Sequence, residues 1–258
     1  MRNIDLKKEK QKIINFIKTY FKDAGFSKGI IGLSGGIDSS LVAFLAVEAL
    51  GKENVIGVLM PYKTSSKDSF DDGKLIAETL GIKYIIREIT PIVDVYFDNY
   101  DPNADQLRKG NMKARARMCT LYDLAAKEHA LVLGTSNKTE LYLGYITQFG
   151  DAACALEPLG CFYKTEVWKL AKMMEVPENI IKKIPTADLW EGQTDEKEIG
   201  ISYTDADEII FALYEEKASI EELLSQGFTQ EKIQHIISIV NTNRFKQSVP
   251  PNPETYTF

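Results

Sequence analysis

A chain of 258 residues is long enough to bury a substantial core, as one large domain or two small ones. Its 44% hydrophobic and 26% charged residues are ordinary for a globular protein in water. A net charge of −6 argues against a surface built to coat nucleic acid, which is usually basic.

Apolar residues near a 3.6 period (Leu6, Ile13, Phe16, Ile17, Tyr20, Phe21) predict an amphipathic helix over 5–24, stopped by Gly25. GIIGL (29–33) predicts a buried strand running into a tight turn at Ser34-Gly35-Gly36, and Asp38 and Ser39 open a helix that Gly51 closes. NVIGVLM (54–60) predicts a second strand, 68–80 a helix capped by Gly81, and KYIIREI (83–89) a third strand. Strand and helix alternating at this spacing imply parallel strands with helical crossovers. Residues 104–129 read as one long helix or two in series with Gly110 as a break, and ALVLGT (130–135) as a fourth strand. An irregular Gly- and Asp-rich stretch leads to a helix over 164–175. The acidic segment 187–200 has neither period, three short helices follow over 205–217, 219–226 and 229–241, and a proline-rich tail is extended. The expected fold is α/β: an open parallel sheet, Rossmann-like and three-layered, with a helical carboxyl-terminal section. No linker divides it, so 1–258 reads as a single domain, with a core of about 13–185 and a loop and helices over 186–258, the loop being the one to which the resemblance given below assigns a lid role.

The turn SGGIDS carries the most specific chemistry. Glycines let the backbone approach a phosphate closely, and free N–H groups at a helix start point at that phosphate with the helix dipole behind them. Ser34 and Ser39 add hydroxyl donors. Asp38 would repel a bare phosphate, but makes sense if Mg²⁺ sits between carboxylate and phosphate; its plainer role would be a helix cap. The turn lacks the lysine of a GxxxxGK[ST] loop, which disfavours chemistry at a γ phosphate. On KGNMKARARM (109–118), helical spacing puts Lys109, Lys113 and Arg117 on one face and turns Arg115 away; alone, this could be a solvated basic face. GTSNKTE (134–140) ends the fourth strand, at the sheet edge where ligands bind in such folds, which places Thr135 and Glu140 well. Lys164, at a helix start, opposes the dipole and calls for an anionic partner.

Three cysteines (Cys119, Cys154, Cys161) without CxxC spacing, and only two histidines, fit free thiols in a reducing compartment rather than a soft-ligand metal centre. No apolar run approaches the ~20 residues that span a bilayer, and the amino terminus has no signal-peptide pattern. The expectation is a cytoplasmic protein without nucleic-acid or membrane partners.

SGGIDS resembles the loop of the ATP pyrophosphatase group, which cleaves ATP between its α and β phosphates. Together with NMKARARM, GTSNKTE, the stretch 146–167 and PTADLWEGQTDEKEIG, the chain closely resembles the ammonia-using NAD synthetases over nearly its whole length. The resemblance implies amidation of deamido-NAD to NAD with ATP as co-substrate, through an NAD-adenylate, with release of pyrophosphate and AMP. It implies ATP contacts at Ser34, Gly35, Gly36, Ile37, Asp38, Ser39, Thr135, Lys164 and Thr186, and deamido-NAD contacts at Asn111, Arg115, Tyr122, Tyr145 and Asp151. Asp38 and Glu140 would bind Mg²⁺, and Asp38, Asp151 and Lys164 would be catalytic, Asp151 facing the incoming ammonia. A homodimer with the dinucleotide at its interface is also implied, as is a lid role for 187–200. One departure stands out: where many relatives read GDGxxD, this chain has Ala152 and Ala155 after Asp151. A GMP synthetase-like or tRNA-modifying ligase is the nearest alternative; the acidic charge and scattered cysteines oppose the tRNA-modifying option, which predicts a basic surface and, for thiolation, a reactive cysteine pair. A non-catalytic nucleotide sensor would lack the acids and cations that are present here. With no glutamine-hydrolysing segment, free ammonia is the expected nitrogen donor.

Overall fold

The computed structural model describes residue 2, residues 4–190 and residues 192–248. Helix α1 (Leu6–Ala24) is capped by Asp5 and stopped by Gly25 in the left-handed region. Strand β1 (Lys28–Gly32) leads into α2 (Ile37–Leu50), β2 (Val55–Leu59), α3 (Lys67–Leu80) and β3 (Lys83–Ile86). Next come α4 (Thr90–Tyr100), α5 (Gln106–Glu128), β4 (Ala130–Val132) and α6 (Lys138–Leu143). Beyond an irregular stretch lie α7 (Lys164–Met173) and α8 (Glu178–Ile181), then α9 (Asp195–Ile199), α10 (Tyr203–Ile210), α11 (Ile220–Ser225) and α12 (Gln230–Asn243).

The four strands are parallel in the order β3-β2-β1-β4. Strands β1, β2 and β4 are covered on both faces, the edge strand β3 is covered in part, and alternate residues divide between two cores as the pleat requires. Ile31, Val55 and Leu59 pack with α1, α2, α3 and α7. Ile30, Ile56, Val58 and Val132 pack with α4 and α5. A third core unites α10–α12 with Leu143 and Tyr163, so the carboxyl-terminal helices sit against the ends of α6 and α7.

Several boundaries differ from the sequence reading. The third strand stops at Ile86, and α4 occupies a segment for which no element was predicted. Helix α5 runs unbroken through Gly110. The aperiodic segment 187–200 contains the short α9, and the helix expected over 205–217 is α10 followed by a π turn at Phe211–Glu215. The start of the tail, Arg244–Gln247, forms a 3-10 turn; the remainder of the tail from 249 lies outside the described residues.

Candidate active site at the sheet switch point

From β1 the chain steps to β2 and β3 on one side and reaches β4 only on the other, so the strand order reverses between β1 and β4. At such a switch point the loops leaving adjacent strands diverge and open a crevice at their carboxyl ends. The two loops here are SGGIDS after β1 and GTSN after β4. They border a cleft of about 480 Å³.

The SGGIDS loop is held by its own side chains. The Ser34 and Ser39 hydroxyls lie 3.0 Å apart, Gly36 N–H donates to Ser34 Oγ at 3.2 Å, and Ser39 Oγ donates to the Gly36 carbonyl at 3.1 Å. Gly36 is the N-cap of α2 and offers no side-chain cap, in contrast to Ser66 on α3 or Asp105 on α5. The first N–H groups of α2 are therefore left to a ligand, the ordinary basis of anion binding at a helix start. Asp38 does not cap the helix. Its carboxylate accepts from Asn137 Nδ2 at 2.9 Å and from Lys164 Nζ at 2.5 Å.

Lys164 is the centre of the charge arrangement. Its side chain is 2% exposed and donates to Asp38 Oδ2 and, at 3.3 Å, to Glu140 Oε1. Burial alone would lower its pKa, but Asp38 and Glu140 hold it above its ordinary value. Burial pushes the Glu140 carboxyl up to about 8 against the pull of Lys164, with Asp38 repelling it further. Glu140 Oε2 also accepts the Asn137 N–H, closing a capping box on α6. Two hard carboxylates converging on one cation fit Mg²⁺, which takes one or two protein carboxylates and completes its shell with phosphate and water. Among the described residues no cluster of three His, Cys, Asp or Glu exists to form an all-protein cage.

Ser34, Gly36, Ile37, Asp38, Ser39, Asn111, Thr135, Glu140, Tyr145, Asp151, Lys164 and Thr186 all line this cleft. Gly35 lies behind it, its backbone turned against α3. Asp151 is exposed at the mouth, where its Oδ1 accepts the Thr147 N–H at 3.0 Å. Arg115 and Tyr122 are not brought into the chain's own cleft. Arg115 lies on the exposed face of α5 and donates to the Gln148 carbonyl at 3.3 Å. Tyr122 stands eleven residues beyond Asn111 on the same helix, about 16 Å along its axis, beside Phe26 and His129 in a separate shallow pocket.

The structure adds groups that the sequence reading did not select. Arg117 lines the cleft and donates from Nε to the Met60 carbonyl, so the face shared by Lys113 and Arg117 turns inward. Lys113 is buried, 4.1 Å from the Tyr62 ring centroid, and its Nζ donates to the Leu189 carbonyl. Asp195 is a further acid on the cleft and is buried, accepting from Tyr203 and Tyr145 hydroxyls at 3.0 and 3.2 Å. Lys183 pairs with Asp72 at 2.8 Å, and Lys246 donates to the Gly144 carbonyl at 2.8 Å; both line the cleft. Residues 185–190 and Gln193 also line the cleft. Asp188, at φ +50°, accepts the Ser66 N–H, and Leu189 N–H donates to Gln193 Oε1 at 2.8 Å.

The NAD synthase family model matches residues 9–250. The NH3-dependent NAD+ synthetase of Fusobacterium nucleatum is 50% identical over 248 residues, 96% of each chain. Among solved structures, the NH3-dependent NAD synthetase of Campylobacter jejuni superposes with a TM-score of 0.82 at 36% identity, over 97% of this chain and 99% of that one. The NMN synthetase of Francisella tularensis does so with a TM-score of 0.87 at 30% identity, again over 97% and 99%. A nucleotide-type cleft at the switch point and a family match over nearly the full length lead to one assignment: the chain belongs to the NAD synthase family.

Proposed function

We propose that this cleft performs the whole of its reaction by positioning and charge neutralisation, with Lys164 as the pivot. The enzyme amidates deamido-NAD to NAD with ATP and ammonia. In the first stage a nicotinate carboxylate oxygen attacks the α phosphorus of ATP, the bond to the β-phosphate oxygen breaks, and pyrophosphate leaves. In the second, the ammonia lone pair attacks the activated carbonyl carbon, AMP departs with the bonding electrons, and a proton is lost to give the amide. Little covalent work falls to the protein, so orientation and preorganised charge supply the rate.

On this reading the Ser34–Ser39 loop and the uncapped start of α2 hold the ATP phosphates, with Lys164 as their cation and Thr135 and Thr186 beside them. Asp38 and Glu140 would hold Mg²⁺, which when bound neutralises charge on the departing pyrophosphate. Asn111, Tyr145 and Asp151 face the dinucleotide, and Asp151, at the open mouth, meets the incoming ammonia. The loop within 187–200 serves as a lid that excludes water from the reactive acyl group. Arg115 and Tyr122 face away from the chain's own cleft, which supports a homodimer in which they serve the dinucleotide at the interface. A cytoplasmic site of action agrees with the thiol usage, and among the described residues no helix is long and apolar enough to cross a membrane.

The observation that carries this reading is the buried Lys164 held between Asp38 and Glu140 beside the uncapped SGGIDS turn. The test is to supply ATP, Mg²⁺ and deamido-NAD with either ammonium or glutamine, and to follow NAD, AMP and pyrophosphate. Equal yields of the three with ammonium are expected; ADP as product, or NAD from glutamine alone, would overturn the reading. The likeness to an NMN synthetase calls for a further arm with nicotinate mononucleotide. We expect the dinucleotide to have the higher kcat/KM, and the reverse order would reassign the substrate.

A further inference from the structure

Asp207 belongs to α10, far along the chain from the switch-point loops, yet its side chain is fully buried between the first turns of α6 and α7. One carboxylate oxygen, Oδ1, accepts from Thr139 Oγ1 at 2.5 Å, and the other accepts the Thr165 N–H at 2.8 Å. Thr139 Oγ1 in turn accepts the Lys164 N–H at 2.9 Å. Thr139 immediately precedes Glu140 on α6, and Thr165 immediately follows Lys164 on α7. A single carboxylate thus spaces the two backbones whose neighbouring side chains meet at 3.3 Å in the cleft. Thr139 and Asp207 are both 0% exposed, so no solvent molecule is at hand to replace a lost acceptor.

We infer that Asp207 is a positioning residue for the Glu140–Lys164–Asp38 cluster, acting through Thr139 and the first turn of α7 without touching substrate. The inference rests on the roles proposed above for Glu140 and Lys164. It gives the carboxyl-terminal helices a direct part in the reaction: they register the acid and the cation that the parallel sheet brings near one another. A buried carboxylate that only fastened α10 to the core would affect stability and leave turnover by the folded enzyme alone. A positioning carboxylate must change kcat, because displacement of a catalytic group by about 1 Å costs on the order of 100-fold in rate.

The experiment compares wild type, Thr139→Val, Thr139→Ser, Asp207→Asn and the Thr139→Val/Asp207→Asn pair, with ATP, Mg²⁺, deamido-NAD and ammonium. Valine matches threonine in shape but neither donates to Asp207 nor accepts from Lys164, whereas serine keeps both bonds. We expect kcat to fall by about tenfold or more in Thr139→Val with KM for deamido-NAD little changed. Thr139→Ser should stay within about threefold of wild type, and the double variant should be no worse than its poorer single, as members of one network behave. A smaller loss in folded Thr139→Val, failure of serine to restore turnover, or losses that multiply would each overturn the inference. Should Asp207→Asn fail to fold, the Thr139 pair decides alone. A wild type that makes no NAD from ammonium overturns the reaction itself and this inference with it, while an active wild type with an active Thr139→Val overturns only the inference.

Discussion

Gly35 holds φ at +74°, and a Cβ added there would stand 2.2 Å from the Ser69 carbonyl oxygen of α3. The left-handed conformation costs an L-residue about 1–2 kcal/mol, and the backbone contact cannot be relieved by a rotamer change. Gly35→Ala should therefore lower the thermal midpoint and, by shifting the turn, nearly abolish pyrophosphate release. Turnover close to wild type would show that the loop tolerates a different path. The tight turn itself was legible in the sequence because its serines, glycines and acid stand consecutively between an apolar run and a helix. The remainder of the site was less so. Asp38, Glu140 and Lys164 come from three distant segments, and each could be chosen by type and local context, but only the tertiary fold joins them through one ammonium group. Arg115 and Arg117 differ by two positions, which on a helix is more than half a turn, so one reaches solvent and the other the cleft. Asp195 was hidden for another reason: in an acidic stretch with no period, nothing marks which carboxylate will be buried.

Helix α4 shows the same limit for whole elements. Its sequence, TPIVDVYFDNY, is rich in β-branched and aromatic residues that favour strands, and only Val93 and Phe97, four apart, are buried. Packing against α5 overrides that preference, with Pro91 tolerated in the first turn. Gly110 was misleading in the opposite sense. Glycine inside a helix costs about 1 kcal/mol relative to alanine, which suggests a break, but here its bare surface receives another element. A Cβ at this position would meet Leu189 Cδ1 at 3.2 Å and the Trp190 ring at 3.3 Å. The Leu189–Trp190 stretch is thus seated on α5 twice, by contact at Gly110 and by the bond from Lys113 to the Leu189 carbonyl one turn along. Gly110→Val should preserve the helix and displace the Leu189–Trp190 stretch. In a Trp168→Phe background, so that Trp190 reports alone, we expect its emission to shift to the red and cleavage within 185–194 by added protease to accelerate. Unchanged emission together with unchanged proteolysis would mean that this contact does not hold Leu189 and Trp190 in place.

The molecule as a whole buries the carboxylates of Asp195 and Asp207 and half-buries that of Glu157, and this links its stability to pH. The parallel direction of the four strands could be anticipated from alternating apolar runs and helices, whereas their order and the depth at which the carboxylates lie follow from the tertiary packing. Asp195 and Asp207 are both raised by burial. Glu157 offers the clearest measurement because it stands apart from the proposed metal ligands, behind Gly134 at the end of β4. It accepts from the Ser136 N–H at 3.1 Å and from Cys154 Sγ at 3.2 Å, and burial pushes it from an ordinary 4.5 up to about 7. The native state therefore binds this proton more tightly than the unfolded chain does. Below pH 4.5 both states are protonated and the group contributes no difference; between 4.5 and 7 the unfolded chain ionises first, so native stability falls as pH rises. Above about 7 the loss is complete, at roughly 3 kcal/mol for a shift of this size. Glu157→Gln keeps an acceptor for the Ser136 N–H and cannot ionise, so it should remove that slope. Urea unfolding of both proteins at pH 5 and pH 8 should give wild type the greater decline between the two conditions, while parallel declines would show that Glu157 is ionised in the native protein across the whole range.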